Sequence, residues 1–302
     1  MFAVAPLEAL VGAGQEVRLV VTQPDRPKGR GMEVALSPVK QKAVELGLAI
    51  AQPEKIKNNN DFRAQLEGLA PDCIVIVGYG RIVPRWMLDL PRFGNINLHA
   101  SLLPKYRGAA PIQWAIANGE DVTGNTTMRI DEGLDTGDIL LQRELEISPE
   151  DTSVTLAPRL ATMGAGLLVE TLTALGEGRL QPTQQDNEHA TLAPILTRED
   201  GRIDFSRDAQ TICNRHRGFQ PWPGAFTTFR GKQLTLHAMR PATGAPLLAP
   251  GETAAAGEAL MVGCGEGSAI AVSELQMEGK RRMLAREFLN GYQPKQGERV
   301  GS

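Results

Sequence analysis

Two side chains that could take part in acyl-transfer chemistry, Asn97 and His99, stand two residues apart. Alternate side chains of an extended strand point to the same face, so these two should lie together, with Leu98 on the opposite face. An amide donor beside an imidazole can stabilise the negative charge that develops on a carbonyl oxygen. The residue types also fit a buried pair satisfied by backbone groups, so both interpretations stay open at this point.

A short acidic segment that contains glycines follows at 131–138, with the sequence DEGLDTGD. Glycines around acidic residues favour a tight loop that presents a carboxylate. A calcium-binding loop of the EF-hand type is the competing explanation, but it needs oxygen ligands at alternating positions and a terminal glutamate. Gly133, Leu134 and Gly137 break that alternation. We therefore expect no metal site here, while a plain surface turn stays open.

Other catalytic and ligand-binding templates are absent from the sequence. It contains no Gly-x-Ser-x-Gly elbow, no Walker A loop and no His-Glu-x-x-His metal motif. The glycine pairs at 12–14 and 78–80 do not extend into a dinucleotide-binding fingerprint. Three of the four histidines lie beyond residue 185, which leaves His99 as the histidine of the first half.

The composition is that of an ordinary globular protein, with 42% hydrophobic and 22% charged residues. No stretch approaches the roughly 18 uninterrupted apolar residues of a membrane span. The net charge of −3 argues against nonspecific coating of nucleic acid, although 26–30, 215–217 and 280–282 are basic. Three scattered cysteines, and a first segment without a basic export signal, lead us to expect reduced thiols and a cytoplasmic location.

Short apolar runs alternate with helical patterns through the first half of the chain. The run Cys73–Val77 predicts a strand that is buried on both faces of a parallel sheet. Further predicted elements are strands at 17–21, 95–99 and 126–130, a helix at 38–46 capped by Ser37, and a helix at 110–118. This alternation indicates right-handed βαβ units and an α/β class with a mostly parallel sheet. The segment 97–104 then lies at the carboxyl end of a strand, where ligands of such sheets bind.

The second half of the chain has a different pattern. After a helical stretch at 151–175, the polar and proline-bearing segment 179–199 has no sustained periodicity and is predicted to be a linker. A helix at 208–215 then precedes short strand-like runs separated by glycine- and proline-rich turns, at 225–229, 233–238, 259–262 and 269–275. This part of the chain is expected to form a small antiparallel barrel.

Two longer motifs are far more specific than any single residue. They are Asn97-x-His99-x-Ser101-Leu102-Leu103-Pro104-x-Tyr106-Arg107-Gly108 and Asp135-Thr136-Gly137-Asp138. Together they resemble the 10-formyltetrahydrofolate-dependent formyltransferases. The segments 22–31, 37–40, 107–113 and 219–224 are similar to members of that family that contact tRNA, so the resemblance covers nearly the whole chain.

The resemblance implies a fold and a chemistry. The fold is a doubly wound, Rossmann-like catalytic domain over 1–178, a linker over 179–199 and an OB-like β-barrel over 200–302 that binds tRNA. The implied co-substrate is 10-formyltetrahydrofolate, without a metal, and the residues implied to bind it are Ser101, Leu102, Leu103, Pro104, Tyr79 and Ile82. In the implied mechanism an amine attacks the formyl carbon, and Asn97 and His99 stabilise the tetrahedral oxyanion. Asp135 orients or charges His99 and helps to move the amine proton.

The resemblance also implies partners. The acceptor would be the amino group of the initiator methionyl-tRNA, formylated for translation initiation, and Arg30, Lys280 and Arg281 would contact the tRNA. We expect a monomer with no membrane association. The family usually carries lysines where this chain has Met32 and Glu33, so the electrostatic attraction of this loop for phosphates should be weaker.

The resemblance further implies a strand and a Gly-Thr-Pro turn ahead of Phe2-Ala3-Val4, and we expect this first strand to be missing from the catalytic sheet. Two other functions stay open beside the leading one. One is formylation of a small amine, such as a nucleotide sugar or glycinamide ribonucleotide. The other is folate or tRNA binding without catalysis, which loss of a central strand would favour.

Overall fold

The computed structural model describes residues 2–28, 33–244, 247–295 and 297–301, and these divide into two compact units. The N-terminal unit comprises Met1–Pro111, Val122–Glu146 and Thr155–Pro194, and the C-terminal unit comprises Ile112–Asp121, Ile147–Val154 and Ile195–Ser302. Two short pieces of the first half therefore group with the C-terminal unit. The domain boundaries after 178 and 199 stay a prediction.

The elements up to residue 194 follow the order expected of an α/β protein. In chain order they are α1 (Val4–Gly12), β1 (Val20–Val21), β2 (Arg26–Lys28), β3 (Glu33–Ala35), α2 (Pro38–Glu45), β4 (Ile50–Ala51), α3 (Asn60–Leu69), β5 (Ile74–Ile76), α4 (Arg85–Leu88), β6 (Asn95–His99), α5 (Pro111–Ala117), β7 (Val122–Arg129), β8 (Ile139–Glu146), α6 (Ser153–Gly176) and a 3₁₀ turn (Asn187–His189). The predicted strand at 95–99 and the helix beginning at Pro38 are confirmed. Oγ of Ser37 accepts the backbone N–H of Lys40 at 3.2 Å, which is the predicted cap.

The strands of the N-terminal unit form three sheets. β1 pairs with β4 in parallel, β2 pairs with β3 as an antiparallel ribbon, and β5, β6, β7 and β8 form a four-stranded sheet in that order. β5 and β6 are parallel, whereas β7 is antiparallel to both of its neighbours. The α/β class with a parallel sheet is confirmed, and the sheet becomes antiparallel from β7 onward.

The prediction that Cys73–Val77 is buried on both faces is wrong, because the strand is less buried than expected. The strand forms as β5, but all three of its residues are only half-buried. Among the described residues, β6 is the one strand that pairs with β5. A strand that pairs on one side only lacks the shielding that a second neighbouring strand gives to the side chains of an inner strand.

The two faces of β6 differ in kind. Ile96 and Leu98 are almost completely buried on one face, where α6 packs closely. A Cβ added to Gly164 of that helix would stand 3.0 Å from the Leu98 side chain. Asn97 and His99 therefore lie on the opposite face, as predicted. Because β5 and β6 are parallel, the loops that follow them leave the same edge of the sheet.

The C-terminal unit is built on an antiparallel sheet. Beyond residue 194 its elements are a 3₁₀ turn (Arg198–Gly201), α7 (Ala209–Gly218), β9 (Phe226–Phe229), β10 (Lys232–Pro241), β11 (Thr253–Ala256), β12 (Ala259–Gly263), a 3₁₀ turn (Gly265–Gly267), β13 (Ala269–Met277), β14 (Met283–Leu284) and α8 (Ala285–Tyr292). The sheet order is β11-β12-β13-β10-β9, with β14 beside β13. Its core gathers Phe229, Leu234 and Phe288, each fully buried. This architecture confirms the small barrel-like second part that the strand pattern predicted. No helix in the described part of the chain is both long and apolar enough to cross a bilayer.

Candidate active site

The imidazole of His99 is held in one orientation at the end of β6. His99 is 5% exposed, and its Nε2 lies 2.9 Å from the carbonyl oxygen of Tyr106. A carbonyl can only accept a hydrogen bond, so Nε2 carries the proton and donates it. The other nitrogen, Nδ1, lies 3.7 Å from Oδ2 of Asp135. The ring therefore presents to the carboxylate the nitrogen that can take up a second proton.

Asn97 completes a group of three side chains. Its Nδ2 lies 3.5 Å from Oδ1 of Asp135, at the outer limit of a hydrogen bond, and the side chain is half-buried. The structure thus brings together the three predicted catalytic residues, Asn97, His99 and Asp135. An amide N–H, an imidazole and a carboxylate can jointly stabilise an oxyanion and carry a proton.

Asp135 sits in a loop whose backbone is held in an unusual conformation. Its φ is +53°, in the left-handed region that non-glycine residues rarely adopt. Its Oδ2 accepts the backbone N–H of Gly108 at 2.8 Å, which turns the carboxylate toward His99. The Asp135 side chain as a whole is 19% exposed.

Two glycines, Gly137 in this loop and Gly108 in the segment that contacts Asp135, lie very close to the backbone of other segments. Gly108 has φ +122°, and a Cβ there would stand 2.7 Å from the carbonyl oxygen of Ala193. At Gly137 a Cβ would stand 2.0 Å from the carbonyl oxygen of Arg129. Contacts this short mean that a side chain at either position would force the backbone to shift. The glycines of both motifs therefore act by permitting the backbone geometry of the site.

The loop Ser101–Pro104 is fixed from the sheet beneath it. Oγ1 of Thr126, a fully buried residue of β7, donates to the carbonyl of Ser101 at 2.7 Å and accepts the N–H of Leu103 at 3.1 Å. Nε2 of Gln142 donates both to that hydroxyl and to the Leu103 carbonyl, each at 2.9 Å. Ser101 is fully buried and donates its own hydroxyl to the Lys105 carbonyl at 2.6 Å.

The predicted folate-binding residues differ in their solvent exposure. Ser101 and Leu103 are buried, and Leu102 and Pro104 are half-buried. Ile82, in the loop after β5, exposes 92% of its surface, which is unusual for a large apolar residue. Tyr79 of the same loop is half-buried, and burial raises the pKa of its phenol. The exposed surface that this set offers to a ligand therefore comes mainly from Ile82.

The predicted tRNA-binding residues are not all described. Arg30 lies outside the described residues. Lys280 and Arg281 lie in the exposed turn between β13 and β14, in the C-terminal unit. Arg281 forms an ion pair with Glu287 at 3.2 Å, and the neighbouring Arg282 pairs with Glu274. Pairing with carboxylates reduces the positive potential that this turn presents.

Sequence reasoning missed two contributors to the site, Arg107 and Gln185. Arg107 is 7% exposed and Gln185 is 5% exposed, and they hydrogen-bond to each other beside the Asp135 loop. Arg107 belongs to the motif that begins at Asn97, and this membership could have identified it as a residue of the site. Gln185 stood in a polar stretch predicted to be a linker, and nothing local distinguishes it from Gln184. Within the described part of the chain, no group of three His, Cys, Asp or Glu side chains is arranged to hold a metal ion.

Two family models and a relative of high sequence identity match this chain. The model of the family described as "Formyl transferase" matches residues 3–172, and that of "Formyl transferase, C-terminal domain" matches residues 195–293. The methionyl-tRNA formyltransferase of Koribacter versatilis is 63% identical over 300 residues, which is 99% of this chain and 96% of that protein.

Solved structures of similar fold exist at low sequence identity. WlaRD, a sugar 3N-formyl transferase crystallised with dTDP and 5-N-formyl-THF, has a TM-score of 0.66 at 18% identity, covering 93% of this chain and 95% of WlaRD. HypX of Aquifex aeolicus, in complex with tetrahydrofolic acid, has a TM-score of 0.57 at 20% identity over 82% of this chain, and the chain spans only 43% of HypX. At these identities the likeness establishes the fold alone. The family matches and the close relative together show that this chain belongs to the formyl transferase family.

Proposed function

We propose that this enzyme transfers the formyl group of 10-formyltetrahydrofolate to the free amino group of the initiator methionyl-tRNA. The relative from Koribacter versatilis that carries the name methionyl-tRNA formyltransferase matches this chain almost from end to end. A second relative of that name, from Acidobacterium capsulatum, is also 63% identical, over 96% of this chain. Identity at this level over both units favours the same acceptor. We place the reaction in the cytoplasm and expect the enzyme to act as a monomer.

The observation that carries the chemical part of the proposal is the convergence of Asn97 and His99 on Asp135. Nδ2 of Asn97 and Nδ1 of His99 lie 3.5 Å and 3.7 Å from the two oxygens of one carboxylate. Their side chains share the face of β6 that α6 does not cover. A formyl group that enters this space would meet an amide donor, an imidazole and a carboxylate together.

The reaction forms one C–N bond and breaks another. The neutral amine of the acceptor attacks the formyl carbon, and the carbonyl oxygen becomes an oxyanion in the tetrahedral intermediate. Collapse of the intermediate breaks the bond from the formyl carbon to N10 of the folate. The amine loses a proton during this exchange and N10 gains one, so the site must carry a proton between two nitrogens.

His99 and Asp135 are placed for that proton transfer. Nε2 of His99 already donates to the Tyr106 carbonyl, so Nδ1 becomes a donor only when the ring takes up a second proton. The carboxylate of Asp135 faces Nδ1 and stabilises the imidazolium that results. In that state Nδ1–H and Nδ2–H of Asn97 can both donate to the oxyanion.

The folate is proposed to lie along the edge of the sheet where the loops after β5 and β6 meet. Ile82 offers an exposed apolar side chain there, and Ser101–Pro104 offer a backbone fixed by Thr126. An ion pair between Arg85 and Glu132, 3.0 Å long, joins the segment after the β5 loop to the Asp135 loop. The tRNA is proposed to contact Arg30, Lys280 and Arg281, since phosphate contacts supply most of the affinity for a nucleic acid.

Transfer of label from formyl-labelled 10-formyltetrahydrofolate tests the proposal. The acceptors compared are initiator methionyl-tRNA, the same tRNA without methionine, glycinamide ribonucleotide and a dTDP-amino sugar. We expect labelled N-formylmethionyl-tRNA and no label on the other three acceptors. Label on a small amine but not on methionyl-tRNA would favour a small-molecule formyltransferase. No label on any acceptor, with folate bound, would favour a binding protein without catalysis.

A further inference from the structure

The segment after α6 runs along the active site. At one end Thr183 and Ile139 exchange two backbone hydrogen bonds, each 2.8 Å long. At the other end the N–H of Arg107 donates to the Thr191 carbonyl at 2.8 Å, and the N–H of Ala193 donates to the Arg107 carbonyl at 2.7 Å. Between these two anchors, Gln185 is buried while its neighbours on both sides are exposed.

The amide of Gln185 joins Arg107 to the Asp135 loop. Its Oε1 accepts two hydrogen bonds from Arg107, from Nε at 3.0 Å and from Nη2 at 2.7 Å. Its Nε2 donates to the backbone carbonyls of Asp135 at 2.9 Å and Gly137 at 2.7 Å. A guanidinium can only donate, so Arg107 decides which end of the amide is the oxygen. The two N–H groups must then point at the loop.

Arg107 is well suited to fix that amide. It is 7% exposed, and its Nη2 also donates to Oδ1 of Asn187 at 2.8 Å. Among the residues described, no carboxylate lies within ion-pair distance of Arg107. A buried cation must be satisfied by hydrogen-bond acceptors, and the side-chain acceptors of Arg107 are Oε1 of Gln185 and Oδ1 of Asn187. Rotation of the Gln185 amide would leave a buried guanidinium facing N–H groups.

The Asp135 loop needs such a restraint. The backbone of Asp135 is in the left-handed region, at φ +53°, which is a strained conformation for a residue with a Cβ. The Gly108 N–H holds the carboxylate, but the backbone that carries it, from the Asp135 carbonyl to the Gly137 carbonyl, must also be held. Gln185 supplies this by binding both the Asp135 and the Gly137 carbonyls.

We propose that Gln185 is a positioning residue for the reaction, which sets the Asp135 carboxylate against His99 by clamping the backbone of its loop. Arg107 locks the amide of Gln185 in the orientation that makes this clamp. The proposal rests on the proposed function for its consequence in catalysis. Its structural part, that the amide restrains residues 131–138, is independent of which amine is the acceptor.

The test compares three substitutions in the full chain. Gln185→Glu keeps the length of the side chain and an acceptor for Arg107 but loses both N–H donors. Gln185→Leu removes the donors and the acceptor together. Gln184→Leu, at the adjacent exposed position, is the matched control. For each variant we would measure kcat and KM for both substrates, the dissociation constant of folate, the Tm, and hydrogen exchange at the amides of 131–138.

We expect kcat to fall by about 10- to 100-fold in both Gln185 variants, because a misplacement of about 1 Å can cost that much. KM, folate affinity and Tm should change little in Gln185→Glu, and exchange in the loop should become faster. The control should match the unsubstituted chain. The proposal is overturned if Gln185→Glu keeps kcat within twofold, or if kcat falls only together with binding and Tm.

The exchange measurement separates this proposal from the proposed function. If the unsubstituted chain formylates no methionyl-tRNA, the proposed function fails. Faster exchange in 131–138 of Gln185→Glu, and not of Gln184→Leu, would still support the clamp. Unchanged exchange in Gln185→Glu would overturn the clamp whatever the enzyme formylates.

Discussion

Nδ1 of His99 lies 3.7 Å from Oδ2 of Asp135, and Nε2, the other nitrogen of the same ring, donates to the Tyr106 carbonyl. The carbonyl fixes the tautomer, and the tautomer leaves Nδ1 as the nitrogen that accepts a proton. The carboxylate is itself oriented by the Gly108 N–H. Backbone groups therefore fix the orientation of both side chains, since the Gly108 N–H holds the Asp135 carboxylate and the Tyr106 carbonyl holds the His99 imidazole.

Replacement of His99 by alanine should abolish most of the formyl transfer. We expect kcat to fall by roughly 10²–10³-fold, the cost typical of losing one oxyanion donor, with little change in tRNA or folate affinity. The matched control is His189→Ala, an exposed histidine of the same unit that pairs with Asp186. Steady-state kinetics and equilibrium binding check the result, and a near-normal kcat in His99→Ala would mean that another group stabilises the oxyanion.

Gly108→Ala should damage both the fold and the site. The new Cβ would stand 2.7 Å from the Ala193 carbonyl oxygen at a φ of +122°, so the backbone must shift and the N–H must leave Asp135. We expect a loss of roughly 1–3 kcal/mol in stability together with a lower kcat. Gly166→Ala in α6 is the control, because nothing lies within 4 Å of its added Cβ. That change should stabilise the helix by up to about 1 kcal/mol. Urea unfolding compares the two variants, and equal effects would contradict the prediction.

Thr126→Val should loosen the loop Ser101–Pro104 while keeping the shape of the side chain. The hydroxyl that would be lost makes hydrogen bonds to the Ser101 carbonyl, the Leu103 N–H and Gln142, all in a buried setting. Groups left unsatisfied there cost about 1–3 kcal/mol each. We expect lower stability and a raised KM for the folate. Thr173→Val, at an exposed position of α6, serves as control, and a KM equal to that of the unsubstituted chain would exclude a role for Thr126 in shaping the loop.

His216 should make the C-terminal unit less stable as the pH falls. Burial lowers the pKa of this imidazole from 6.5 to about 4, so the folded chain stays neutral where the unfolded chain takes up a proton. The unfolded state then binds more protons between these two values, and stability decreases with falling pH through that window. From pH 7 to pH 5 the loss should be about 2 kcal/mol.

Urea unfolding at pH 7 and pH 5 measures this loss, with His216→Gln as the variant that cannot titrate. The difference in unfolding free energy between the two pH values should be smaller in the variant. Equal differences in both proteins would show that other groups carry the pH dependence.

Much of the local structure could be predicted from the sequence. The alternation in Asn95–His99 predicted β6 and the common face of Asn97 and His99, because side chains of a strand alternate regardless of what packs on them. Ser37 capped α2 as expected, since a cap is a contact over three residues. The burial of β5 was overestimated, because burial depends on whether a second strand lies beside it.

By itself, the sequence determined the secondary structure around the site and the membership of Asn97, His99 and Asp135 in one pair of motifs. Only the tertiary structure decided which carbonyl fixes the His99 ring, which N–H turns the Asp135 carboxylate, and that Gln185, beyond α6, clamps the same loop. Periodicity, caps and glycine turns follow from interactions within a few residues. The contact between Gln185 and Asp135 joins residues far apart in the chain, so no local pattern encodes it, and it exists only because the packed sheet brings both segments to one edge.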